Sequence, residues 1–244
     1  MTLPTLDALA AFLHDALGAD AYPPDERGGV FRAPAPARDA VTRPLARFGL
    51  ALEPWPGLRA WAAHEALDAL FLHRPWRLRP DALGAEVGVL YSHLPFDDHL
   101  TTGDNAPLAA ALGFRTRELF GTKQERRIGM LGDVDPLPAA DALARAARVF
   151  GGTEAVELPD PARPVSRVAV VGAMNDALVR EAAARDVGLY VTGQMRHPAR
   201  AAVAETGLAV AAVGHARAEH WGLGALAEIV GARWPALAVA VAGP

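Results

Sequence analysis

The stretch 167-RVAVVGAMNDALVREAAARDVGLYVTGQMRHPARAAVAETGLAVAAV-213 decides the fold class. It holds three short apolar runs, RVAVVG at 167–172, GLYVT at 188–192 and LAVAAV at 208–213, each with the length of a buried strand. Between them, 175–186 and 197–206 read as helices. Strands separated by helices at this spacing need crossover connections, so the class is α/β with parallel or mixed sheets. The alternation extends outward through a helix at 138–149, a helix at 216–231 and a last strand at 236–242. Upstream, Leu6, Leu9, Leu13 and Leu17 mark an amphipathic helix over 5–17. A strand at 46–52, a helix at 57–66, an apolar run at 68–72 and a buried strand at 88–92 follow. A helix over 104–112 closes on Gly113, a natural left-handed cap. Residues 22–43, rich in Pro, Gly and Arg, read as one long irregular segment. The polar segment 114–135 carries a single strand at 125–131. With no repeat or linker, the expected organisation is one region over 1–244, or two closely associated, intertwined α/β lobes of about 1–124 and 125–244.

Composition narrows the chemistry. Of 244 residues, 51% are hydrophobic and 21% charged, ordinary for a chain that buries a core. The net charge of −4 provides no broad basic surface for nucleic acid or anionic membrane. Without cysteine there are no disulfides or thiolates, so a transition metal would be held by His, Asp and Glu. The opening MTLPTLD lacks the pattern of a signal peptide and no apolar run reaches membrane-spanning length. The expected location is the cytoplasm. Ser92 and Ser166, the two serines, lie in no Gly-x-Ser-x-Gly run, which argues against serine hydrolase chemistry. The five tryptophans are scattered and form no stacking array for nucleic acid.

Several histidines and carboxylates fall at strand ends, where α/β proteins collect ligands: His73, the segment His93 to His99, and His215 with Glu219. His215 and Glu219 are four apart at the start of a helix and can share a face, although such a pair is more often a solvated surface pair. His93 follows a strand, and Pro95 stiffens what reads as a loop carrying Asp97, Asp98 and His99; a capped turn is the competing reading. His73, taken alone, fits a core histidine bonded to backbone. The turn Gly172-Ala173-Met174-Asn175 has the outline of a phosphate cradle but lacks the remaining glycines and the lysine, so a plain strand-to-helix turn fits better. Thr192, Gln194, Arg196 and His197 follow the next strand, where they either line the same pocket or cap the helix after it.

The order of these pieces resembles the NIF-three-like family, also described as dinuclear-metal-centre hexameric proteins and GTP cyclohydrolase I type 2 homologues. It is carried by His-x-Pro at 73–75, Tyr-Ser-His-Leu-Pro-Phe-Asp at 91–97, Gly-Asp-Asn-Ala-Pro-Leu-Ala-Ala-Ala-Leu-Gly-Phe at 103–114, Tyr-Val-Thr-Gly-Gln at 190–194 and Gly-His-Ala-Arg-Ala-Glu at 214–219. The resemblance implies a NIF-three-like α/β fold, a homohexamer, and divalent metal (Zn, Mn, Fe or Ni). It implies His73, Asp97, His215 and Glu219 as metal ligands, Glu219 as a bridge, and His93 and His197 as candidate catalytic groups. The implied activity is that of a metal-dependent, GTP cyclohydrolase-like hydrolase on a small, nucleotide-like substrate. A non-catalytic metal-binding ring, serving as scaffold or regulator, is the alternative.

One departure alters the expected site. Where the family pairs two histidines, this chain has His73 followed by Arg74, with the register set by Pro75. A register shifted by one would place Leu72 and His73 on the pair and lose a ligand equally. A guanidinium stays protonated and offers no lone pair to metal. Beside a divalent ion about 4 Å away it meets a gross repulsion of roughly 8 kcal/mol at an effective dielectric of 20. Arg74 is therefore expected to swing outward and leave a weakened two-metal site, to replace one ion by pairing with Asp97 or Glu219 and leave a single metal on His73, His215 and Glu219, or to leave the pocket metal-free. One ion per subunit ranks ahead of two. Thr-Gly-Gln for Thr-Gly-Glu, and Ala218 before the bridging Glu, are further departures.

Overall fold

The computed structural model describes residues 2–35 and 43–243. They form two compact units, one of Met1–Phe96 with Leu223–Pro244 and one of Asp97–Gly222.

The first unit is built on a sheet of β1 (Gly29–Arg32), β2 (Arg47–Ala51), β3 (Ala69–Leu72), β4 (Gly88–Tyr91) and β11 (Ala238–Val241), in the order β1-β4-β3-β2-β11. β11, β2, β3 and β4 run parallel, and β1 joins β4 antiparallel. ALFL in β3 is buried along its whole length, as a central parallel strand covered on both faces must be. Helix α1 (Leu6–Ala16) buries Leu6, Leu9 and Leu13, and Thr5 Oγ1 caps it by accepting from Ala8 N at 3.2 Å. Helix α2 (Leu58–His64) buries Leu58 and Ala62 against a cluster that includes Leu70, Leu72 and Val89.

In the second unit β5 (Glu118–Lys123), β6 (Arg126–Pro138), β7 (Ala155–Glu157), β8 (Pro164–Val171), β9 (Leu189–Thr192) and β10 (Ala209–Ala212) make a sheet of order β5-β6-β8-β9-β10-β7. The run quoted first supplies its parallel centre, β8-β9-β10. Successive residues of β8 serve opposite cores. Val168 and Val170 pack with Leu108, Ala142, Ala146 and Phe150, which lie on α4 (Ala106–Ala111) and α5 (Ala139–Phe150). Ala169 and Val171 pack with Val179, Ala182 and Val203 of α6 (Asp176–Ala184) and α7 (Arg200–Thr206). Two segments cross the boundaries between units: α3 (Leu94–Leu100) and α8 (His215–Arg233).

The mixed α/β class expected from the strand-helix alternation is the one observed. Local details differ. The 22–43 stretch is not irregular throughout, since β1 lies within it; residues 36–42 of that stretch are outside those described. Gly28 makes β1 possible: its φ is +83°, and a Cβ there would sit 2.4 Å from the Tyr91 carbonyl oxygen. The polar 114–135 segment is a hairpin, β5 with β6, and not a single strand; its turn residues Gln124 and Glu125 both adopt positive φ, 50° and 64°. The segment after His93 is helix α3, because Pro95 sits in the first turn, where its missing N–H costs nothing. β7, a short antiparallel edge, was not expected.

Candidate metal site

The first unit's sheet carries its histidines at the carboxyl ends of adjacent parallel strands. His73 directly follows β3, and His93 lies two residues past β4, so strand pairing brings them side by side. Their rings are 5.1 Å apart between centroids. Asp97 lies in the first turn of α3, four residues beyond His93, where a carboxylate is favoured by the helix dipole. One ligand atom from each of His73, His93 and Asp97 lies within 4.8 Å of the other two.

Tautomers suit this cluster to metal. His73 is fully buried, and its Nδ1 lies 2.9 Å from the Ser92 carbonyl oxygen. A carbonyl only accepts, so Nδ1 donates and the lone pair of the neutral ring is on Nε2. Nδ1 of His93 is 3.1 Å from Oε2 of Glu26, which by the same logic leaves its lone pair on Nε2. Phe96 packs on His73 with centroids 4.7 Å apart, and Trp76, 57% exposed, stands edge-on to His93 at 5.1 Å. Two imidazoles and a carboxylate in a partly dry setting are a donor set for Zn, Mn, Fe or Ni.

Arg74 has a carboxylate partner from its own sheet. Its Nε donates to Oε1 of Glu53, just past β2, at 2.7 Å, and the Glu53 partnership was not foreseen in the sequence. The Arg74 N–H donates to the Leu52 carbonyl at 2.8 Å, which holds the residue in line with the strand end.

In the second unit, His215 opens α8 and its Nε2 lies 2.9 Å from Oε1 of Glu219. The pair is not the solvated one that i,i+4 spacing alone suggests: the Glu219 side chain is only 1% exposed, although that of His215 is 70% exposed. The neighbouring His220 is held below the usual imidazole range by burial, with Glu219 acting in the opposite direction. Asp98, buried behind Asp97 in sequence, is ion-paired with Arg126 of β6. His197 lies exposed on a short 3-10 turn after β9. The Gly172 turn is a plain strand-to-helix connection: the Gly172 amide donates to the Ile128 carbonyl at 2.7 Å, and Asn175 caps α6 through Leu178 N at 2.8 Å. The site neighbours that sequence reading missed are Glu26, Glu53, Trp76 and Arg126, none of which carries a local signal.

Fold and donor set together define an α/β protein with a candidate metal-ligand cluster at parallel strand ends. The profile of the Duf34/NIF3 (NGG1p interacting factor 3) family matches residues 76–242, and the chain belongs to that family. A Pseudomonas aeruginosa protein named GTP cyclohydrolase 1 type 2 homolog is 31% identical over 153 residues, covering 62% of this chain and 60% of that one. A protein of the same name from Neisseria meningitidis serogroup B is 35% identical over 143 residues, covering 59% and 56%. The chain thus spans less than two thirds of these relatives' length. The solved structure of a Bacillus cereus protein related to NIF3 matches 100% of this chain and 98% of that one, with TM-score 0.73 and 12% identity, a likeness of fold alone. Among the described residues no helix is long and apolar enough to cross a membrane.

Proposed function

We propose that this chain is a divalent-metal-binding, metal-dependent hydrolase-like protein of the GTP cyclohydrolase I type 2 kind, acting on a small nucleotide-like substrate in a cytoplasmic homohexamer. The observation that carries the reading is the cluster of His73, His93 and Asp97, whose ligand atoms lie within 4.8 Å of one another. The printed names of the relatives support the reaction class. A bound ion would supply Lewis acidity at this cluster. His73 and His93 present Nε2, and Asp97 contributes charge. In the second unit His215 and the buried Glu219 are the further ligand pair, and His197 is the exposed proton-transfer candidate. The tautomer of His93 favours it as a ligand over the proton-transfer role. Arg74, a cation with no lone pair standing where the family has an imidazole ligand, favours one ion over two.

Metal analysis of protein purified without chelator tests the first part. About one equivalent per chain is expected; two would overturn the Arg74 argument, and none the metal reading. Incubation with GTP and Zn, Mn, Fe or Ni tests the second, with formate release expected if the purine ring is opened. No formate with any of these metals would overturn the cyclohydrolase reading. It would favour a metal-binding ring acting as scaffold or regulator, a reading that the loss of a family ligand at Arg74 supports.

A further inference from the structure

We propose that Glu26 is a positioning residue of the metal site, selecting the orientation and tautomer in which His93 binds the ion. The inference rests on the metal reading above and adds to it a residue from outside the cluster. Glu26 belongs to the segment ahead of β1, and its Oε2 is 3.1 Å from Nδ1 of His93, 67 residues away in sequence. The segment is itself fixed: Glu26 N donates to the Pro23 carbonyl at 2.9 Å, and Arg27 Nε to the Tyr22 carbonyl at 2.9 Å.

Contact with the neighbouring rings leaves His93 a choice. Its ring lies 5.1 Å from both His73 and Trp76, contacts that define the ring plane. A half-turn about Cβ–Cγ exchanges a nitrogen for a carbon of nearly the same size, so those neighbours do not distinguish the two faces. A carboxylate does, because an ionised one accepts and never donates. In the orientation with Nδ1 toward Glu26 the proton sits on Nδ1 and Nε2 keeps its lone pair for metal. His73 reaches the same state by a different route, since its Nδ1 is held by the backbone of Ser92, which no side-chain substitution removes. The two imidazoles of the cluster are therefore set alike, one by the sheet and one by a replaceable side chain. Where Arg74 has removed the family's second paired histidine, Glu26 keeps a second imidazole ready to bind.

The test uses the full chain with Glu26→Ala, Glu26→Gln and His93→Ala. Zinc affinity is measured by competition with a chromophoric chelator, and the His93 ring is examined by nitrogen NMR in zinc-free protein in mildly alkaline buffer. Wild-type His93 should carry its proton on Nδ1. Glu26→Ala should lose that preference and bind zinc about 10- to 100-fold more weakly, while Glu26→Gln, whose amide oxygen still accepts, should fall between. Melting curves of zinc-free protein check that each variant is folded. Wild-type affinity in Glu26→Ala, or an unchanged His93 tautomer, overturns the proposal. If His93→Ala weakens zinc binding and Glu26→Ala does not, the role of Glu26 fails and the site stands. If wild type binds no zinc, both fall.

Discussion

Replacing His73 by Leu should separate what this residue does for the fold from what it does for metal. The side chain is fully buried beside Phe96, and its Nδ1 donates to the Ser92 carbonyl at 2.9 Å. Leu keeps the apolar packing but removes that donor, which for a buried carbonyl costs about 1–3 kcal/mol. A better apolar fit against Phe96 returns part of this, leaving a net loss of roughly 1–2 kcal/mol. In a chain of this size that lowers the thermal midpoint by roughly 2–8 °C in the presence of chelator. Metal adds a separate term: at 100 times its Kd, an ion that binds only the folded state stabilises by about 2.7 kcal/mol. Wild type should then gain roughly 5–11 °C on adding metal. His73→Leu should gain almost none, so the gap between the proteins widens sharply from chelator to metal. Differential scanning fluorimetry in matched buffers reads both numbers. An equal metal-induced rise in the two proteins would refute the assignment of His73 as a ligand, whatever the variant's stability in chelator.

Other expectations follow from backbone and burial. Gln124 and Glu125 pay a left-handed cost at the β5–β6 turn, so replacing them with Asn-Gly should stabilise by about 1–2 kcal/mol, read as a higher urea midpoint. Gly28→Ala should destabilise the β1–β4 pairing, because the new Cβ would lie 2.4 Å from the Tyr91 oxygen; faster amide exchange at Val30 and Leu90 is the readout. Burial raises the Tyr190 phenol far above its ordinary value, and its hydroxyl donates to the Ala173 carbonyl at 2.7 Å. The unfolded chain therefore sheds a proton above about pH 10 that the folded chain keeps, so this contribution is whole below pH 10 and lost above it. Wild type should lose stability more steeply than Tyr190→Phe there, by about 1.4 kcal/mol per pH unit, in denaturant titrations at alkaline pH.

The fold was most legible where burial is two-sided. RVAVVG, GLYVT and LAVAAV read as central strands, because each is largely apolar and is separated from the next by helical spacing. Legibility failed where backbone conformation, not side-chain pattern, makes the element. β1 depends on Gly28, and the β5–β6 hairpin turns on Gln-Glu, a pair with no turn signature. Pro95 reads in the sequence as a loop stiffener but lies in the first turn of α3. At the site, the places of His73 and His93 after strands are legible in the pattern, whereas the ligand roles of His73 and Asp97 come only from the family resemblance, and His93 is expected there as a catalytic group. Glu26 and Glu53 could not, since each reaches its partner across 67 and 21 residues with only tertiary structure to join them.

The route of the chain through its two units bears on how the protein is made. Residues 97–222 form one uninterrupted unit, whose sheet draws all its strands from within that stretch. The earlier unit cannot: β2 has an exposed parallel edge until β11, near residue 240, pairs with it. Synthesis thus reverses the usual order, the unit begun earlier being completed later, by β11. During that interval the edge of β2, with the apolar RFGLA sequence, is open to other chains. A slow codon or a nascent-chain chaperone would therefore have its largest effect on yield in the stretch that encodes residues 223–243.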